Sequence, residues 1–239
     1  AFLTSGRPIF NPDQIMEMLD KAEPVKQRLA LEEETWKNHP RGELVLYKDV
    51  DPAGIYTIGA DVAMGIRGGD YSVAQILDEN KVLVGTYRAH VHPDYFATVL
   101  FHLGEFFNNA YIIVESNSHG LLTCTRLYKD FEYTNFHIEM VVDKMTDKEM
   151  TKLGFQTTAK SKPLVINELR ASLRLTEMLI YDKVTLRELL TYIETETGAM
   201  EAESGCHDDC VMALALANYG HQQGWKPTEI NNNFYSEAI

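Results

Sequence analysis

The sequence contains little cysteine and few basic residues, and both shortages exclude classes of protein. Only three cysteines occur in 239 residues, and no two form a CxxC pair, so neither a disulfide scaffold nor a cysteine zinc site is expected. Lys and Arg number 22 against 35 Asp and Glu, which gives a formal charge of -13. A broad basic surface that holds nucleic acid by counterion release alone is therefore excluded. Any contact with nucleic acid must be local, metal-assisted or provided by another domain.

Long apolar runs and nucleotide-binding loops are also missing. The longest apolar stretches, at 112–114 and 211–217, are far shorter than the roughly 20 residues that a membrane helix needs. No signal-peptide pattern is present, so we expect an intracellular protein without a membrane partner. The sequence has no GxxxxGK[ST] phosphate loop and no Gly-Lys pair, which excludes an ATP-driven motor within this chain.

The chain divides into two parts by pattern. Residues 1–50 contain four of the eight prolines and a charged stretch without an apolar stripe, which predicts a linker that follows another domain. Residues 51–239 are predicted to form one globular domain, which agrees with a hydrophobic content of 45%. The start at Ala1 agrees with a fragment of a longer protein.

The order of elements in the second part predicts an α/β fold with a mixed sheet. Three β-rich runs at 55–62, 71–77 and 82–90 are separated by short polar turns, so three antiparallel strands are expected. A helical pattern over 93–107 precedes the continuous apolar run 110–115, which is typical of a central, parallel strand. The remaining elements are a strand at 136–142, an irregular segment at 145–162, a strand at 178–181, and helices at 120–131, 163–176, 186–196 and from about 207.

Acidic residues stand at three places where burial is expected. Asp61 lies within the first strand, Glu115 ends the apolar strand, and Asp208-Asp209 open an apolar helix. Carboxylates from strand ends and a helix start that meet at one point repel one another unless a cation lies between them. A set of oxygen ligands favours Mg²⁺ or Mn²⁺, and two such ions about 3.5–4 Å apart support phosphodiester hydrolysis.

Each acid also has a simpler explanation when it is taken alone. Asp61 can cap a turn, Glu115 can be an ordinary exit from a strand with Ser116 as the helix N-cap, and Asp208 or Asp209 can complement a helix dipole. The occurrence of all of them, in this order along one pattern of strands and helices, favours a shared site.

These residues resemble the C-terminal nuclease domain of the large terminase subunit, the DNA-packaging motor of tailed double-stranded DNA bacteriophages. The resemblance covers most of the chain and rests on the segments 56–65, 69–72, 113–117 and 205–209 with the alanine- and leucine-rich run 213–217. It implies a ribonuclease H-like fold and a metal-dependent endonuclease that cuts concatemeric viral DNA at the initiation and termination of packaging, in the host cell cytoplasm.

The resemblance also implies roles and partners. Asp61 is expected to bridge two metal ions, Glu115 to bind one and Asp209 the other, while Asp208 is a further ligand or supports one; the sequence leaves open which of the two adjacent acids points inward. His207 and Ser116 are candidates for supporting this site without binding metal. The expected partners are double-stranded DNA, an ATPase domain of the same full-length protein, the portal and the small terminase subunit.

A basic segment is the predicted DNA contact. From residue 144 to residue 174 there are seven basic and three acidic residues, a local excess in an acidic chain. Lys160 and Lys162 are the strongest candidates because Gly154 and Pro163 predict a loop around them, and Lys148 and Lys152 are the others. A solvated helix or hairpin face explains the same lysines equally well.

Two rival functions share these features. Another ribonuclease H-like nuclease, such as a junction resolvase or an integrase-like strand transferase, would use the same acids on a branched or end-processed substrate. A docking module that grips DNA or a portal ring without cutting would not use them at all.

Overall fold

Short apolar runs form the strands of the computed structural model, which describes residues 6–142 and 149–223. The strands are β1 (Arg7–Pro8), β2 (Gln27–Glu32), β3 (Thr35–Asn38), β4 (Leu44–Leu46), β5 (Tyr56–Asp61), β6 (Ser72–Asp78), β7 (Leu83–Ala89), β8 (Tyr111–Val114), β9 (Ile138–Val142), β10 (Glu149–Leu153), β11 (Tyr192–Glu194) and β12 (Met200–Ala202). The helices are α1 (Pro12–Lys21), α2 (Pro93–Phe106), α3 (Gly120–Lys129), α4 (Ser161–Arg174), α5 (Lys183–Leu190) and α6 (Asp209–Gln223).

A seven-stranded sheet with the order β3-β2-β4-β7-β6-β5-β8 is the frame of the molecule. Strands β5, β6 and β7 pair antiparallel, as the sequence predicts, and β8 pairs parallel to β5. The predicted mixed sheet is therefore confirmed. β9 and β10 form a separate two-stranded antiparallel sheet, and β1, β11 and β12 form a small three-stranded sheet.

Helices cover the two faces of this sheet. One apolar cluster joins α2 and α3 to the sheet, and another joins α4, α5 and α6 to it. Helix α6 lies closest, because Gly59 of β5 has no side chain: a Cβ built there would lie 2.1 Å from the carbonyl oxygen of Ala213 and 2.2 Å from the amide nitrogen of Ala217. Backbone contact at Gly59 thus sets the position of α6 over β5.

The predicted linker 1–50 is wrong as a structural boundary. Strands β2, β3 and β4 lie in this segment and belong to the main sheet, where Leu29, Leu44 and Leu46 are buried. These strands are only three to six residues long and are separated by Glu33-Glu34 and by a polar turn that contains Pro40, so no sustained apolar period marks them. Whether another domain precedes the chain stays a prediction.

Several other elements differ from the sequence-based expectation. β8 ends the sheet order and is not central; its outer edge is partly covered by single bridges from Phe136 and Phe155. The predicted strand at 178–181 makes only one bridge, between Val82 and Leu179. The predicted helix 186–196 ends at Leu190, and the rest of that range contains strand β11. The segment predicted as irregular contains β10. Among the described helices, none has the length and hydrophobicity needed to cross a bilayer.

Candidate metal centre

Two adjacent parallel strands place the first two carboxylates at one edge of the sheet. Asp61 is the last residue of β5, and Glu115 directly follows β8. The amide of Glu115 donates a hydrogen bond to the carbonyl oxygen of Ala60 at 2.9 Å, so the parallel pairing continues to this point. Carboxyl ends of parallel strands meet at the same edge, and this brings the two side chains together.

Helix α6 brings the other two acids to the same place. Asp209 is its first residue, and Asp208 precedes it and accepts the amide of Met212 at 2.9 Å through its backbone carbonyl. Asp209 is buried, whereas Asp208 stays partly exposed. The close packing of α6 on β5 at Gly59 therefore determines where these carboxylates stand relative to Asp61.

All four predicted acids line one cavity of about 460 Å³. Lys162, from the first turn of α4, lines the same wall, and its Nζ lies 3.5 Å from Oδ2 of Asp208. Asp70 also lines this cavity, so five carboxylates against one ammonium group leave a strong excess of negative charge. The oxygen donors fit a hard divalent cation better than zinc or copper, which favour nitrogen and sulfur ligands.

Burial and mutual repulsion are visible in the pKa values of two of these acids. Burial raises the pKa of Asp61 well above its usual range, and the adjacent carboxyl of Glu115 and the charges of Asp209 and Asp208 raise it further. Burial also raises the pKa of Asp209, although the amide of Tyr71, which donates to its Oδ2 at 3.0 Å, acts in the opposite direction. A bound cation would stabilise the ionised form of both groups.

His207 lies beside the cluster, with its Nδ1 3.7 Å from Oδ2 of Asp209 and 3.4 Å from Oδ1 of Asp70. Ligand atoms of these three residues fall within 4.8 Å of one another. Asp70 is not among the site residues predicted from the sequence. Asp70 is exposed in a glycine-rich turn, so the search for acids in buried positions could not find it.

The remaining predicted residues are distributed more widely. Ser116 donates its backbone amide to the carbonyl of Phe155 at 2.8 Å and lies beside the cavity, outside its wall. Lys160 and Lys152 are exposed and also lie outside this wall. Lys148 lies outside the described residues. Of the three predicted DNA-binding lysines that the structure describes, only Lys162 therefore lies beside the acids.

The raised pKa values make the stability of the metal-free protein depend on pH. Folded Asp61 and Asp209 hold their protons to a higher pH than the unfolded chain does, so their ionisation opposes folding. We expect the free energy of unfolding of the wild type in EDTA, minus that of Asp61→Asn, to fall as the pH rises above about 4. Urea titrations across the pH range measure this difference. The exposed control Asp20→Asn should follow the wild type, and parallel curves for Asp61→Asn would contradict the expectation.

No protein-family model matches the sequence, but solved structures do. The large terminase nuclease from thermophilic phage G20c with bound cobalt aligns over 92% of this chain and 98% of its own, with 24% identity and a TM-score of 0.64. The same nuclease with bound magnesium aligns with 23% identity and a TM-score of 0.62 over 92% of this chain and 98% of its own. The large terminase nuclease domain of Thermus phage P74-26 aligns over 89% and 97%, with 24% identity and a TM-score of 0.58.

These matches show that the chain has the fold of large terminase nuclease domains. The ribonuclease H-like mixed sheet flanked by helices, predicted from the sequence, is thereby confirmed. A third form of the G20c nuclease contains zinc, with 24% identity and a TM-score of 0.54 over 86% of this chain and 97% of its own. The G20c nuclease thus binds cobalt, magnesium and zinc.

Proposed function

We propose that this chain is the nuclease domain of a phage large terminase subunit and that it hydrolyses phosphodiester bonds of double-stranded DNA with divalent cations. The observation that carries the proposal is the single cavity lined by Asp61, Glu115, Asp208 and Asp209. It lies at the carboxyl ends of two parallel strands, in a fold shared with nucleases that bind divalent metals.

In this proposal the acids hold two Mg²⁺ or Mn²⁺ ions. Asp61 would serve both ions, Glu115 and Asp209 would each hold one, and Asp208 would complete the set or support it. When bound, such a pair of ions activates a water and stabilises the leaving oxygen. The protein itself fixes the carboxylates on rigid strand ends and a helix start, and His207 beside Asp209 is suited to hold a water or a phosphate oxygen.

The biological setting follows from the same assignment. The domain would cut concatemeric DNA at the start and the end of packaging, in the cytoplasm of the host. It would act in one polypeptide with an ATPase domain and together with the portal and the small terminase subunit. The acidic surface, with a formal charge of -13, agrees with a nuclease that depends on these partners to hold DNA.

A plasmid assay separates this function from its rivals. With Mn²⁺, we expect the protein to nick and linearise plain supercoiled plasmid at many positions. Cleavage confined to four-way junctions would support a resolvase instead. DNA binding without cleavage of either substrate would support a docking module. Both of these results would overturn the proposal.

Lys162 is the predicted phosphate contact within the site. Its ammonium group lies in the cavity wall beside Asp208, where it can approach a phosphate that the acids alone would repel. We expect Lys162→Met to weaken DNA binding in Ca²⁺ by about tenfold and to reduce the slope of log affinity against log salt by about one. Fluorescence anisotropy at several salt concentrations measures both quantities. Lys129→Met, at the exposed end of α3, is the control for general charge, and an equal effect of both variants would contradict a specific contact.

A further inference from the structure

An ion pair between a buried glutamate and a partly exposed arginine lies behind Asp209, outside the wall of the cavity. Glu188 of α5 is 7% exposed, and its Oε2 accepts the amide of Cys210 at 2.8 Å. Its Oε1 lies 3.8 Å from Nη2 of Arg88 at the end of β7. Glu188 therefore holds the first turn of α6, directly after Asp209, and links it to Arg88.

Arg88 also reaches the side chain of Asp209, through its contact with Tyr71. Its guanidinium carbon lies 3.3 Å from the centre of the Tyr71 ring. The ring of His90 stacks on Tyr71 with a centroid distance of 3.8 Å. Both groups are too close to the ring to share one face, so Tyr71 is clamped between them. Its backbone amide is the group that donates to Oδ2 of Asp209 at 3.0 Å.

Two contacts thus fix Asp209, and both lead back to the same ion pair. The first acts through Cys210 and the backbone of α6. The second acts through Tyr71 and the carboxylate itself. A metal ligand needs such support, because the orientation of its oxygens decides how well they match the coordination geometry.

We propose that Arg88 and Glu188 are positioning residues that hold Asp209 in the orientation in which it binds a divalent cation. This inference rests on the proposed function. It assigns to the site two residues that touch neither the cation nor the DNA.

Stabilisation of the fold does not by itself explain the ion pair between Arg88 and Glu188. Nε of Arg88 and Oε1 of Glu188 are buried without a hydrogen-bond partner in the described structure. A largely buried pair with incomplete hydrogen bonding often stabilises a fold no better than apolar residues of similar size. Burial raises the pKa of Glu188 to about 6, so its carboxylate is ionised in an assay at pH 8 and can pair with Arg88.

The charge-neutral double variant Arg88→Met/Glu188→Met gives the sharpest test, because it removes both the ion pair and the acceptor of the Cys210 amide. It removes one positive and one negative charge together, so electrostatics alone predicts little change in cation affinity. Positioning predicts that Mn²⁺, titrated calorimetrically into the protein without DNA, binds about tenfold more weakly. Unchanged affinity would overturn the inference.

The single variant Arg88→Met separates positioning from electrostatics, because the two predict opposite changes in the affinity for Mn²⁺. Loss of a cation near the acids strengthens Mn²⁺ binding if only charge matters, whereas positioning predicts weaker binding. Arg67→Met, in the exposed loop beside the cavity, is the matched control and should bind Mn²⁺ equally or more tightly. If Arg88→Met leaves Glu188 as an unpaired buried charge and fails to fold, the double variant decides the question. Tighter binding by a folded Arg88→Met would overturn the inference.

Failure of the inference and failure of the proposed function give different results. Wild-type protein that binds no Mn²⁺ and cuts no plasmid contradicts both. Wild-type protein that binds Mn²⁺ and cuts, together with a folded double variant of equal affinity, contradicts only the role of Arg88 and Glu188. Melting curves in EDTA establish that each variant is folded before its affinity is measured.

Discussion

Asp61→Asn is expected to reduce Mn²⁺-dependent cleavage of supercoiled plasmid by about a thousandfold or more. Asp61 stands at the end of β5, where it contacts Glu115 and lies within electrostatic range of Asp208 and Asp209. Asparagine keeps the shape of the side chain but removes the charge and one of the anionic oxygens. The rate of nicking at saturating Mn²⁺ measures the loss.

The control for this variant is Asp20→Asn, on the exposed surface of α1, which should cut at the wild-type rate. Asp61→Asn should also be at least as stable as wild type in EDTA at neutral pH, because it removes one of the five acidic groups crowded around the cavity. The loss of cleavage therefore cannot be attributed to unfolding. Cleavage by Asp61→Asn at the wild-type rate would remove the role proposed for this residue.

Gly59→Ala is expected to lower the free energy of unfolding by about 3 kcal/mol or more. The new Cβ would lie 2.1 Å from the carbonyl oxygen of Ala213 and 2.2 Å from the amide nitrogen of Ala217. Backbone atoms cannot rotate away as a flexible side chain can, so α6 must move as a whole. Since α6 carries Asp209, the fraction that still folds should also bind Mn²⁺ more weakly.

Urea unfolding in EDTA measures the loss of stability, with Gly69→Ala as the control. A Cβ at Gly69 meets only the carbonyl oxygen of Ile66, at 3.4 Å, so this variant should change stability little. A small effect at Gly59 would mean that α6 does not rest on β5 as closely as the structure has it.

The sequence predicts those parts of the site that are marked by an acidic residue within or next to an apolar run. The sequence predicts Asp61, Glu115 and Asp208-Asp209 because each interrupts, ends or begins an apolar run, and the structure brings them to one cavity. Their roles as metal ligands stay predictions. Asp70, exposed in a turn, has no such pattern around it.

Contacts between residues that are distant in sequence cannot be predicted from such local patterns. Arg88 and Glu188 are 100 positions apart, and the importance of the pair appears only when Tyr71 and Cys210 are placed around it. The same limit applies to Lys162, which differs from Lys160 only because the first turn of α4 aims it at Asp208.

The first 50 residues show that strands of a few residues cannot be recognised from periodicity. Leu29, Leu44 and Leu46 are buried in the main sheet, yet each belongs to a strand too short to show a period. β8 is apolar throughout without being central, because bridges from Phe136 and Phe155 and the packing of α6 bury it in place of a second full strand.

Crystals soaked in Mn²⁺ and measured at the manganese absorption edge test the central claim most directly. If acids from β5, β8 and α6 form one cation site, anomalous peaks should lie within bonding distance of the carboxylates of Asp61, Glu115 and Asp209. An empty cavity, or a single peak held only by Asp70, His207 and Asp209 away from Asp61, would contradict it.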